Sequence, residues 1–198
     1  MLTQREIYRQ ILHIIIGLAV TLLYYYDIIS PLAVLLGVII GILSSLMSKR
    51  TKLPGFNFFL KHFERPEQAE KFPGKGLIFF FIGMLLVIQL FEKDIATAAL
   101  MILTFGDSLS HLVGERFGQI KNIFNGHSKK LFEGTIAGTI FGFLGAAFFV
   151  SIPEAIVASF CAMVAEVIKI DFNDHTLDDN LVVPLVAGTV IFLMRMYL

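Results

Sequence analysis

Apolar residues run along this chain in long blocks, not in the short alternations of elements that face water on one side. Seven blocks stand out: Ile7–Tyr26, Pro31–Met47, Gly76–Phe91, Ala96–Gly114, Phe132–Ile152, Ala155–Ile170 and Leu181–Tyr197. Each approaches the roughly 20 residues that a helix needs to cross a hydrocarbon core. They predict an all-α fold, a polytopic integral membrane bundle of about seven transmembrane helices in one domain over residues 1–198. The first block follows Arg5 and Arg9 as in a signal peptide, but it lacks a small-x-small cleavage site and runs too long. An uncleaved helix is expected. The connection over residues 48–75 is neither a span nor a short turn. There Phe56, Phe58, Phe59 and Phe63 alternate with Lys61, His62, Glu64 and Arg65, the pattern of an amphipathic piece lying in the membrane interface. Pro66 and Pro73 limit any helix in it to a few turns.

Composition agrees. Of 198 residues 56% are apolar and 16% charged, with 20 Phe and no Trp. An ordinary globular domain has about 45–50% and about 25%. So short a chain cannot hide that much apolar surface in a water-soluble core. The single cysteine, Cys161, excludes an internal disulfide and a Cys-based zinc site.

Sixteen basic and sixteen acidic residues cancel. That balance excludes a broadly basic nucleic-acid binder, so no nucleic-acid partner is expected. Their positions say more than their sum. With seven spans, fourteen of the basic residues fall on one side: Arg5 and Arg9, the cluster in residues 48–75, Arg116, Lys121, Lys129, Lys130 and Lys169. Lys93 and Arg195 remain on the other. The positive-inside rule then places the N-terminus in the cytosol.

Ionisable residues inside spans are costly and suggest function. Asp107 lies seven residues before the end of the fourth block, about 10 Å deep at 1.5 Å per residue. Ser110, His111 and Glu115 follow at helical spacing, so all can share a face. A polar face that only glues helices together is the structural alternative. The fourth and sixth blocks run toward the cytosol, so Asp107, Glu115 and Glu166 approach the negative ends of their helices. Carboxylates so placed need a cation. Mg²⁺ suits carboxylates together with substrate phosphates, and a Lys or Arg would serve as well.

Helix starts at the same face offer the complement. Ser128-Lys129-Lys130 precedes the fifth block and Glu133-Gly134-Thr135 opens it. Free N–H groups with adjacent lysines make a phosphate site, although lysines flanking a span also serve as topology anchors. Gly74-Lys75-Gly76 is a smaller version. Asp178-Asp179-Asn180 precedes the seventh block. One of these residues suffices as a cap, which leaves metal ligation or base chemistry open for the others. In the first block Glu6, Arg9 and His13 share one face, and His13 is expected to be a satisfied structural histidine. Gly134, Gly138, Gly142 and Gly145 have the spacing of close helix packing.

In this order the motifs resemble the membrane-embedded CTP-dependent lipid kinases: dolichol kinase, phytol kinase and the CTP-using diacylglycerol kinase, relatives of phosphatidate cytidylyltransferase. The resemblance runs nearly end to end. It rests on Glu6-x-x-Arg9-x-x-x-His13, Pro73-Gly74-Lys75-Gly76, Gly106-Asp107 with Gly114 and Gly118, Lys129-Lys130-x-x-Glu133-Gly134-Thr135, Glu166, and Asp178-Asp179-Asn180-Leu181 with Pro184. Gln10 stands where the family often has a basic residue, and Ser110 where it usually has Ala. The signatures of bacterial and archaeal CDP-lipid synthases are absent.

The resemblance implies transfer of the γ-phosphate of CTP to a membrane lipid alcohol, of the polyprenol or dolichol type first, with phytol or diacylglycerol as other acceptors. It implies Mg²⁺ held by Asp107 with Glu166, Asp178 or Asp179. Lys129, Lys130, Arg116 and the Gly114, Gly134 and Thr135 positions would meet the triphosphate. Asp107, Asp179 and His111 would be catalytic, with Glu6, Arg9, His13 and Asn180 in support. The competing readings are a cytidylyltransferase that makes a CDP-lipid and, outside enzymes, a small membrane transporter or scaffold.

Overall fold

Thr3 accepts a hydrogen bond from the Glu6 amide at 3.3 Å and so opens the first helix, α1 (Gln4–Tyr25). Proline at the first helical position opens three more: α2 (Pro31–Ser48), α3 (Pro54–Phe63) and α4 (Pro66–Lys71). Its missing N–H costs nothing there, and its fixed φ already suits a helix. Gly74, in the left-handed conformation at φ 79°, turns the chain into α5 (Lys75–Leu90). A side chain at that φ would be strained. Next come α6 (Lys93–Met101), a π-helical stretch over Ile102–Asp107, and α7 (Ser108–Phe117), which together form one rod. Then come α8 (Phe132–Ala146), α9 (Ile152–Ile168) and α10 (Asp179–Tyr197). The computed structural model describes residues 3–51, 53–124, 130–168, 171–172 and 175–197. Beyond the helices it pairs only Asp171–Phe172 with His175–Thr176, antiparallel, and Lys121 with Leu131.

The protein is all-helical, and the rod of α6 and α7 runs through its centre. Every residue from Ile95 to Thr104 is buried. Around the rod stand α1, α5, α8 and α10, while α9 packs on α8 and α10. The outer surface is apolar. Ile15, Leu32, Ile40 and Phe148 are 59%, 62%, 62% and 85% exposed. Such a surface fits contact with an apolar solvent.

Each of the seven expected blocks overlaps a helix, although Phe132–Ile152 runs past the end of α8 at Ala146 and the sixth block ends outside the described residues. The helices are not equally long. Gln4–Tyr25, Pro31–Ser48, Lys93–Phe117 and Asp179–Tyr197 are long and apolar enough to cross a membrane, whereas Lys75–Leu90 and Phe132–Ala146 are shorter. Helix α9, on the sixth block, has 17 residues. Several long apolar helices fit a membrane protein. The connection over residues 48–75 contains α3 and α4, divided before Pro66, and no residue of α3 is buried.

Two ends of the bundle differ in chemistry. At one end Lys93 pairs with Asp27 at 2.6 Å, and Arg195 holds Asp94 at 2.7 Å and Glu154 at 2.8 Å. At the other end meet the starts of α1, α5, α8 and α10 and the last turns of α7 and α9. A polar cavity opens between them.

Candidate active site

The central rod winds as a π-helix up to Asp107. A π-helical turn takes up an extra residue and shifts the phase of the turns after it. Asp107, Ser110, His111 and Gly114 then line one cavity of about 460 Å³. Helix α8 can approach α7 closely there because both have glycine at the crossing. A Cβ added to Gly114 would lie 3.4 Å from Gly134 Cα, and one added to Gly134 would lie 2.5 Å from the Ser110 carbonyl oxygen. The glycine series of α8 is thus packing, as its spacing indicates.

At the floor of the cavity stands Lys130, just before α8. Its ammonium is ion-paired with Glu166, lies 3.0 Å from Asp179 Oδ2 and lies 3.7 Å from Asp107 Oδ1. Three carboxylates from the central rod, α9 and α10 therefore converge on one cation. Glu166 is 1% exposed and accepts a second bond from Ser110 Oγ at 3.2 Å. His111 Nε2 stands 3.7 Å from Asp107 Oδ1. One ligand atom each from Asp107, His111, Glu166 and Asp179 lies within 4.8 Å of the others. Three carboxylates against one ammonium leave an excess of negative charge, and oxygen donors at this spacing fit a hard divalent cation.

A basic rim surrounds this floor. Lys75 Nζ lies 3.4 Å from Asp178 Oδ2, so Asp178 faces Lys75 and not the Lys130 cluster. The other Asp178 oxygen accepts from the Asn180 amide at 3.2 Å and from its side chain at 2.9 Å, which makes it a cap as well. Arg9 pairs with Glu6, which also receives Arg65 at 3.4 Å and Gln10 Nε2 at 3.1 Å. Arg9, Arg65 and Lys75 all line the cavity. Thr135 Oγ1, buried, accepts from Asn122 Nδ2 at 2.7 Å. Glu133 turns outward and receives the amides of Gln119 at 2.9 Å and Ile120 at 3.1 Å, pinning the loop ahead of α8.

The structure thus gathers Asp107, His111, Gly114, Lys130, Gly134, Thr135, Asp178, Asp179 and Asn180 around one cavity with Arg9, and sets Glu166 beneath it. It does not bring Arg116 there; that side chain is exposed, with its guanidinium 6.0 Å from the Phe117 ring. Lys129 lies outside the described residues. His13 departs from the expectation of a satisfied structural histidine: its ring packs on Phe80 at 4.5 Å, and its Nε2 finds no hydrogen-bond partner among the described residues.

Sequence reasoning passed over Gln68, which lines the cavity, and the Ser110 to Glu166 bond. It also read Glu64 as part of an interfacial face. Glu64 is 4% exposed and accepts the Gly74 amide at 2.7 Å. No spacing rule marks contacts of this kind between distant segments.

No protein-family model and no solved structure matches the chain. It is 29% identical over 137 residues to a probable chloroplastic phytol kinase of Triticum aestivum, an alignment spanning 61% of this chain and 44% of the wheat protein. That likeness supports a kinase-like family. It is 32% identical over 192 residues to Uncharacterized protein MJ1137 of Methanocaldococcus jannaschii, covering 94% of this chain and 93% of that one. On that near end-to-end match the chain belongs to the family of the Methanocaldococcus protein.

Proposed function

We propose that the protein is a CTP-dependent kinase that transfers the γ-phosphate to the hydroxyl of a membrane lipid alcohol, of the polyprenol, dolichol or phytol type. The observation that carries this reading is the cluster of Asp107, Glu166 and Asp179 around Lys130 beneath a polar cavity, at one end of an otherwise apolar bundle. Phosphoryl transfer asks for positioning and charge neutralisation more than for covalent chemistry. A basic rim of Arg9, Arg65 and Lys75 around an acidic floor offers both. The wheat phytol kinase likeness supports the choice of a lipid alcohol as acceptor.

In this reading the triphosphate lies between the basic rim and the start of α8, with Lys130 neutralising charge. The acceptor oxygen forms a bond to the γ-phosphorus while the bond from that phosphorus to the β–γ bridging oxygen breaks. The hydroxyl proton passes to Asp107, Asp179 or His111, and CDP leaves. Those of Asp107, Glu166, Asp179 and His111 that do not take the proton would hold Mg²⁺, which would neutralise phosphate charge.

We further propose seven membrane spans with a cytosolic N-terminus and a cytosolic cavity. The starts of α1, α5, α8 and α10 meet the ends of α7 and α9 at the cavity, the arrangement that seven alternating spans would give. An acidic and basic cluster gathered at one end, and not at the midplane, favours an enzyme over a transporter.

The test uses purified protein in detergent with CTP labelled on either the α- or the γ-phosphate and a panel of lipid alcohols and lipid phosphates. Label moving from the γ-position to the lipid supports the kinase. Label moving only from the α-position, onto a lipid phosphate, overturns it in favour of a cytidylyltransferase.

A further inference from the structure

Beside the large polar cavity lies a second of about 80 Å³, between α1, α3 and α5. The two share Asp107 and Asn180 in their walls, together with Arg9, Gln68 and Gly76. Where they share walls the lining is polar. Away from there Gln10, His13 and Glu64 stand against an otherwise apolar wall that includes Leu12, Ile16, Phe59, Phe63 and Phe80. Phe59 and Phe63 stack on each other at 5.7 Å and belong to the short helix that carries no buried residue. Leu12 and Ile16 sit one turn apart on α1, next to Ile15, which is 59% exposed on the apolar outer surface.

Unpaired polar atoms concentrate here. Among the described residues nine buried side-chain nitrogen or oxygen atoms have no hydrogen-bond partner, and five of them belong to residues lining this small cavity. These are Arg9 Nε, His13 Nε2, Glu64 Oε1, Asp107 Oδ1 and Asn180 Oδ1. A buried polar group without a partner is costly, and native proteins leave few of them. They sit on side chains around one narrow cavity and include both donors and acceptors, so a guest that both donates and accepts suits the site. A hydroxyl does so in the smallest volume: its one proton goes to a carboxylate, a carbonyl oxygen or a bare imidazole nitrogen, and its lone pairs accept from an N–H.

We propose that this cavity receives the carbinol end of a single-chain lipid alcohol, with His13 positioning the hydroxyl beside Asp107 and the chain running out past Leu12 and Ile16 to the apolar surface. This rests on the kinase reading and deepens it, because it assigns the acceptor to one pocket and the nucleotide to the other. The volumes agree with that division. The larger cavity, about 460 Å³ with Arg9, Arg65 and Lys75 in its wall, suits a triphosphate, whereas the smaller, about 80 Å³, suits the slim end of one chain better than a branched glycerol backbone.

A photoreactive diazirine analogue of farnesol, added without CTP to purified protein in detergent, tests this directly. Adducts are expected on Leu12, Phe59 or Phe63. Unlabelled phytol should displace the analogue, and diacylglycerol should not. Ile16→Trp, which fills the cavity from the lipid side, should abolish the adducts. His13→Leu should raise the KM for phytol by about tenfold or more while leaving the KM for CTP unchanged, and His13→Gln should restore much of the loss. A merely structural role for His13 would move both constants together. Adducts confined to other helices, or labelling that survives Ile16→Trp, overturns the pocket even if γ-phosphate transfer is observed. Adducts in the pocket without γ-transfer would instead overturn the kinase reading and leave the alcohol site standing.

Discussion

Lys130 and Glu166 form an ion pair between the loop ahead of α8 and the last turns of α9, with Asp179 Oδ2 3.0 Å and Asp107 Oδ1 3.7 Å from the same ammonium. Removing one partner of a buried charge cluster leaves the rest uncompensated, typically at a cost of about 3–5 kcal/mol. Lys130→Met should therefore unfold at a clearly lower temperature than the parent. Because three carboxylates and His111 would then be left without the ammonium, millimolar Mg²⁺ should recover much of the lost Tm. A Tm of Lys130→Met that does not respond to Mg²⁺ or to a chelator would remove the four residues from consideration as a cation site.

Asp107 stands where the two cavities share a wall, and its Oδ1 takes no hydrogen bond among the described residues. Asn at this position keeps the shape and deletes the charge. Loss of one charged group that stabilises a transition state typically costs about 10²–10³-fold in rate. Asp107→Asn should lose γ-phosphate transfer on that scale while its helical circular dichroism and Tm stay near those of the parent. Full retention of turnover would place the chemistry elsewhere.

The sequence shows where helices lie more readily than where their side chains meet. Blocks such as Pro31–Met47 mark helices because a bilayer-facing surface is apolar all round, and every block overlaps helix. Asp107 is equally legible, since a carboxylate within an apolar block has few structural uses. Which cation Asp107 and Glu166 face was not legible. Lys130 and a metal ion answer the same charge imbalance, and only the tertiary placement of Lys130 just before α8 lets it reach both. Glu64 was hidden for a related reason. Its neighbours in the chain are aromatic and basic, as in any interfacial helix, and its burial comes from the Gly74 turn folding back over it.

Glu64 makes a pH prediction. It lies at the end of α3, and burial pushes its carboxyl above the ordinary range, against the amides of Gly74, Gly76 and Lys75 and the Arg9 charge, which pull it down. A carboxyl raised in the folded state binds its proton more tightly there than in the unfolded chain. Its contribution is therefore full at low pH and is lost as pH rises from the ordinary glutamate value, about 4.3, through the folded one. Glu64→Gln keeps an oxygen for the Gly74 amide and removes the buried charge. It should be more stable than the parent at pH 7, because the buried charge is gone. The difference should vanish below about pH 4. Thermal unfolding of the two proteins across that range checks the sign, and a Gln variant less stable at pH 7 would contradict it.

The crossing of α7 and α8 separates two glycines that look alike in the sequence. A methyl group added to Gly114 meets Gly134 Cα at 3.4 Å, an ordinary van der Waals contact, with nothing nearer. A methyl group added to Gly134 meets the Ser110 carbonyl oxygen at 2.5 Å and Gly114 Cα at 3.1 Å. That oxygen belongs to helix backbone, so the helices must part for the methyl to fit. Such overpacking costs about 1–3 kcal/mol. Parting them would also draw Lys130, at the foot of α8, away from Asp107 on the other side of the crossing. Gly134→Ala should therefore lower both Tm and nucleotide affinity, whereas Gly114→Ala should leave both close to the parent values. Calorimetry of the two variants with and without CTP measures each effect. Equal behaviour of the two would show that the crossing gives way on both sides, and that the close approach of these helices does not hold the lysine in place.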